Sequence, residues 1–195
     1  GNIYLWETSG RLIDKWPGHV LSIECLSFSP NGTLLASVGS DTMLRIWNVP
    51  SCHQIWAWRS QSYEVYPECV LFSPDGRLLA CRTGRKIAVL EAATGHLLWQ
   101  HTDPNPIRSM VFSPSGDMFI ATASCIRMLS ASGDMLWIQH RKEDRFFVRI
   151  ALSMDGNFLA ATASQNNYEK NFLSVWDTSK GTIVGETEAP TCKHL

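Results

Sequence analysis

The chain has 195 residues, 45% of them apolar, and a formal charge of −1. That length can bury a sizeable core, and so balanced a charge gives no field that would gather nucleic acid or an anionic membrane. No apolar run reaches the ~18 residues of a membrane-spanning helix, and no basic segment followed by an apolar stretch reads as a signal peptide.

The first elements are two short apolar runs, "NIYLWET" and "RLIDKW". After them one phrase recurs. "FSPNGTLLASVGSD" stands at 28–41, "FSPDGRLLACRTG" at 72, "FSPSGDMFIATAS" at 112 and "LSMDGNFLAATAS" at 152. The phrases are anchored at Ser29, Ser73, Ser113 and Ser153, at spacings of 44, 40 and 40 residues. A fixed period in this range signals stacked supersecondary units. The turn at the centre of each phrase has a mechanism: Pro presets φ, Asn or Asp tolerates the bend, and Gly takes positive φ. A run of alternating character precedes each turn ("IECLSF", "ECVLF", "RSMVF", "FVRIAL"), and an apolar run follows it ("TLLASV", "RLLACR", "DMFIATA", "NFLAATA"). Each unit therefore holds a hairpin.

A third strand is expected at 43–49, 86–92, 125–131 and 172–178, and a fourth in "HQIWAW", "GHLLWQH", "GDMLWIQ" and "GTIVGE". Four strands per ~40 residues, without helical periodicity, is the plan of a β-propeller blade. The expected division is a half-blade at 1–17, blades at 18–59, 60–102, 103–140 and 141–186, and a tail at 187–195. With too few blades to close a ring, the chain is expected to be a piece of a larger propeller, a truncated isoform, or a chain completed by a partner. Its free sides should then bare Ile3, Leu5 and Leu12 at the half-blade and part of Phe172, Val175 and Ile183 at the far blade.

Gly18-His19 and Trp176-Asp177, with Trp47-Asn48 and Trp6-Glu7 as near matches, carry a resemblance to the WD40-repeat family over about residues 2 to 186. The resemblance implies an all-β, WD40-type β-propeller segment of four-stranded antiparallel blades. In that family His, Ser, Asp and Trp form a hydrogen-bonded tetrad inside a blade. Carried over, these are His19, Ser37, Asp41 and Trp47. The other blades depart from the pattern: Leu90-Glu91 and Leu129-Ser130 stand where Trp-Asp would, and "QNNYEKN" lengthens the loop at 165–171. A Gly-x-x-x-Trp spacing in "GHLLW" and "GDMLW" resembles the tryptophan-docking repeat of quinoprotein-type propellers, where Trp99 and Trp137 would pack between blades. The favoured reading is that both are outer-strand packing residues of WD40 blades.

No G-x-S-x-G, H-E-x-x-H, P-loop or G-x-G-x-x-G motif occurs, and no C-x-x-C pair suggests zinc. Cys25, Cys69 and Cys81 lie in apolar runs and read as free thiols, which points to a cytoplasmic or nuclear chain. His53, His96, His101, His140 and His194 read as surface residues. The chain lacks an "FRRG" phosphoinositide motif, and Trp176-Asp177-Thr178-Ser179 lacks the Arg of ubiquitin-ligase adaptors. The expectation is a non-enzymatic scaffold for protein–protein contact, with no cofactor and no catalytic or metal-binding residues. Candidate contact residues are Trp58, Arg59, Tyr63, Tyr66, Arg82, Arg85, Arg127, Arg141, Arg145 and Tyr168. The alternative is a quinoprotein-like enzyme with a redox cofactor in its channel.

Overall fold

A computed structural model describes residues 1–60, 65–140, 145–165 and 170–189. Among these described residues the regular elements are strands alone. They are β1 (Asn2–Trp6), β2 (Leu12–Pro17), β3 (Ile23–Phe28), β4 (Leu34–Gly39), β5 (Met43–Asn48), β6 (His53–Arg59), β7 (Cys69–Phe72), β8 (Leu78–Thr83) and β9 (Lys86–Glu91), followed by β10 (Leu97–Thr102), β11 (Ile107–Phe112), β12 (Met118–Thr122), β13 (Cys125–Leu129), β14 (Met135–His140), β15 (Arg145–Leu152), β16 (Phe158–Gln165), β17 (Asn171–Asp177) and β18 (Thr182–Ala189). They form one two-stranded sheet and four four-stranded sheets, each an antiparallel meander in chain order. These are the half-blade (β1–β2), blade 1 (β3–β6), blade 2 (β7–β10), blade 3 (β11–β14) and blade 4 (β15–β18).

The recurring turn explains why each blade starts where it does. The hydroxyl of Ser29 accepts the amide of Leu34 at 2.9 Å and donates to Asn31 Oδ1 at 2.7 Å, while the Gly32 amide closes on the Ser29 carbonyl. Ser73 with Asp75 and Leu78, and Ser153 with Asp155 and Phe158, repeat these bonds. Gly32, Gly76, Gly116 and Gly156 all have positive φ, between 71° and 88°. The serine thus satisfies the backbone that the tight bend would otherwise orphan.

The chain divides into two compact units, Gly1–Thr102 and Asp103–Leu195. Within each, the core lies between consecutive blades. In the first unit, Val38, Leu44 and Ile46 of blade 1 meet Val70, Leu79 and Leu90 of blade 2. Ile3 and Trp16 of the half-blade meet Leu35 and Trp47, with the two indoles 6.1 Å apart. In the second unit, Phe119 and Ile126 meet Phe147, Leu159 and Trp176. Second and third strands of blades 1 to 3 are therefore largely buried, every residue of β12 being so, whereas β16 and β17 of blade 4 alternate buried with more exposed residues. The fourth strands alternate between half-buried and exposed (Leu97 to Thr102, Met135 to His140).

Two expectations about the free sides are corrected. Ile3 and Phe172 are buried, at 3% and 8% exposure, whereas Leu12 and Ile183 are both 42% exposed. Ile3 points toward blade 1, its neighbour, and a Cβ added to Gly18 would lie 2.7 Å from it. Phe172 lies under the Arg145 guanidinium, 3.3 Å from ring centre to the guanidinium carbon. The final strand also runs on to Ala189, because Thr187 and Glu188 pair with Leu173 and Phe172 inside the segment expected to be tail.

Candidate functional site

Blade 1 contains a buried polar chain. His19 precedes β3, Ser37 lies on β4, Asp41 follows β4 and Trp47 lies on β5. Asp41 Oδ1 accepts from His19 Nδ1 at 2.7 Å. His19 Nε2 meets Ser37 Oγ at 2.8 Å, and Trp47 Nε1 donates to that oxygen at 2.9 Å. The imidazole lies over Gly39, where a Cβ would come within 2.5 Å of Nδ1. Arg45 adds a donor that the motif did not announce: its guanidinium bonds Asp41 Oδ2 at 2.8 Å. The available signal was strand alternation, which puts residues 45 and 47 on one face of β5.

Burial pushes the Asp41 carboxyl up, but bonds from His19, Arg45 and the Val20 amide outweigh it and hold its pKa down to about 2. Burial also lowers His19, against the raising influence of Asp41. A neutral imidazole then passes one continuous hydrogen-bond direction from indole to carboxylate.

The other blades keep the place and change the chemistry. Asp103 stands four residues before Ile107, as His19 stands four before Ile23. It is fully buried and ion-pairs with Arg127. Arg127, expected as a contact residue, is 9% exposed, because Asp103 draws its charge inward. In blade 4, Leu159 pairs with Trp176 as Leu35 does with Trp47. Ala161 replaces the serine, and Trp176 Nε1 finds no hydrogen-bond partner among the described residues.

Between blades, the fourth-strand tryptophans dock. The Trp56 ring covers Gly95 of blade 2, and its Nε1 donates to the Ala92 carbonyl at 3.1 Å. Trp137 covers Gly181 of blade 4 and meets Phe119 edge-on, with centroids 5.7 Å apart. The Gly-x-x-x-Trp spacing flagged Trp137 but missed Trp56, because Cys52, at φ 56°, fills the glycine position four residues earlier.

The remaining contact candidates divide by burial. Trp58 is half-buried and packs on the core between blades 1 and 2. Arg82 pairs with Glu68 at 2.9 Å. Arg145 pairs with Glu186 at 2.8 Å. These three are held by their neighbours and do not project freely, contrary to their reading as exposed. Arg59, Tyr66 and Arg85 are exposed. All three lie at the end of blades 1 and 2 where the turn between second and third strands meets the link to the next blade. A Cβ on Gly84, in the β8–β9 turn, would lie 3.4 Å from Val65. Tyr63, Arg141 and Tyr168 lie outside the described residues. Among the described residues, no group of three or more His, Cys, Asp or Glu is placed to hold a metal ion. No helix is long and apolar enough to cross a membrane.

Comparison with known proteins agrees with this geometry. The family model of the WD domain, G-beta repeat, matches residues 10–48. The chain is 26% identical over 198 residues to Protein ROOT INITIATION DEFECTIVE 3 of Arabidopsis thaliana, covering 91% of this chain and 44% of that protein. It is 30% identical over 89 residues to eukaryotic translation initiation factor 3 subunit I of Aspergillus terreus, covering 45% of this chain and 25% of that protein. The chain thus spans less than half the length of these curated relatives. Among solved structures it is similar to the Kuenenia stuttgartiensis hydrazine synthase, with a TM-score of 0.76, 15% identity, and coverage of 88% of this chain and 51% of that one. That likeness concerns the fold alone.

Proposed function

We propose that this chain, a WD40-repeat β-propeller segment, is a non-enzymatic scaffold that binds other proteins through the blade ends. The observation that carries this reading is the division of its polar residues. The inward-facing ones, buried His19, Asp103 and Arg127 and half-buried Asp41 and Arg45, are bonded to one another within their blades. The exposed Arg59 ends β6, and Arg85 and Tyr66 stand on loops beside it at the sheet ends. Arg and Tyr are residue types enriched among interface anchors, and a fixed backbone lowers the ordering that binding costs. One relative is by name a subunit of a translation initiation factor, which supports the same reading. The five free cysteines among the described residues are compatible with a reducing compartment, cytoplasm or nucleus.

The test is affinity capture from cell lysate with the wild-type chain and with the triple variant Arg59→Ala, Tyr66→Ala, Arg85→Ala. A specific partner should be lost by at least about tenfold in the variant, while the melting temperature stays the same, since these side chains hold no core together. Equal capture by both proteins would remove the blade-end surface from the account.

A further inference from the structure

The first strands of blades 1 and 2 lie side by side in the first unit. Cys25 on β3 stands four residues before Ser29, and Cys69 on β7 stands four before Ser73. The two cysteines therefore share one register position in consecutive blades. Their sulfurs are 4.0 Å apart, and Cys25 Sγ also lies 3.8 Å from the Val70 carbonyl. Both residues are half-buried, so small molecules can reach them.

The same position marks the joint in the second unit. There Ser109 stands four residues before Ser113, and its hydroxyl accepts the Ile150 amide at 3.2 Å. The ladder skips a residue just before this position in three blades, between Ile23 and Cys25, Ile107 and Ser109, and Phe147 and Arg149. Such a bulge re-aims the side chain that follows it. One joint is thus bridged by a hydroxyl, the other by two facing thiols.

We infer that Cys25 and Cys69 form a reversible redox site, a dithiol that closes to a disulfide across the joint between blades 1 and 2. The sulfurs need to approach by about 2 Å to reach bonding distance. The oxidant is a low-molecular-weight disulfide such as oxidised glutathione. The Cys25 thiolate attacks one of its sulfurs, forming a mixed disulfide and expelling one glutathione thiolate. The Cys69 thiolate then attacks Cys25 Sγ, forming the Cys25–Cys69 bond and expelling the second. Two protein thiols are oxidised, one glutathione disulfide is reduced, and the two protons leave with the two glutathione thiols.

Electrostatics supports this order. The shared S–H···S contact lowers the Cys25 thiol and raises that of Cys69, with the Arg82 charge nearby favouring the Cys25 thiolate. Cys81 is fully enclosed, and burial pushes it up to about 12, so it stays a thiol. It serves as an internal control.

The full chain is equilibrated with defined ratios of reduced to oxidised glutathione, alkylated, and mapped by mass spectrometry without reduction. A Cys25–Cys69 linked peptide should rise with the oxidised fraction and vanish on dithiothreitol treatment. In reduced protein, Cys25 should alkylate at least about tenfold faster than Cys81. Cys69→Ala should stop at the Cys25–glutathione adduct, and Cys52→Ala should behave as wild type. Wild-type protein that yields only glutathione adducts, or links through any other cysteine pair, would overturn the assignment.

Discussion

Asp41 organises more bonds than any other side chain in blade 1. It accepts from His19, Arg45 and the amides of Val20 and Met43. Asp41→Ala should cost about 2–4 kcal/mol at pH 7, because four donors, two of them side chains, lose a half-buried charged acceptor. The cost should depend on pH in a stated direction. Asp41 in the folded chain is held at about 2, below the ordinary aspartate value, so it binds its proton less readily folded than unfolded. Wild-type stability from this group is present above about pH 4 and is lost as the pH falls toward 2. His19 is also lowered, so a separate part is lost as the pH falls below about 6.5. Urea unfolding of wild type and Asp41→Ala should therefore show a gap that is wide at pH 7 and narrows below pH 4. A constant gap across that range would mean that the carboxylate's charge does not hold the network together.

At the scale of the element, the joint between blades is a tryptophan set on a turn. Gly95 and Gly10 separate turn from docking. Both have positive φ, 76° and 88°, so valine strains the backbone at either. Only at Gly95 does an added Cβ meet a ring, 3.0 Å from Trp56; at Gly10 nothing lies within 4 Å. Gly95→Val should cost about 1–3 kcal/mol more than Gly10→Val, the usual range for overpacking. Equal melting temperatures for the two variants would show that Trp56 yields without cost. The turns themselves were legible in the sequence, since Ser29, Pro30, Asn31 and Gly32 act on one another within a few residues. Strand boundaries followed from them to within two or three residues. Trp56 was not legible as a docking residue, because Cys52 occupies the glycine position that would have signalled it.

Across the chain, what the sequence concealed was partnership between distant residues. Arg127 reads as an exposed cation until Asp103, 24 residues earlier, is seen to be buried beside it. Ile3 reads as bare until the half-blade is set against Leu35 and Trp47 of blade 1. Blade 4 retains its tryptophan but not the serine, and no local rule says that Trp176 would still be buried at 2% exposure without a bonding partner. What the repeat does dictate is a period of rigidity. In blades 1 to 3 the two central strands are largely covered, in blade 4 they are covered on one face, and the fourth strands are wetter throughout; amide exchange should follow that pattern. Hydrogen exchange read by mass spectrometry along the chain tests this most directly. The account predicts four maxima of protection, in β4–β5, β8–β9, β12–β13 and β16–β17, recurring about every 40 residues, with the fourth strands exchanging faster. Protection confined to one stretch, or greatest in β6, β10, β14 and β18, would contradict a chain of tandem blades.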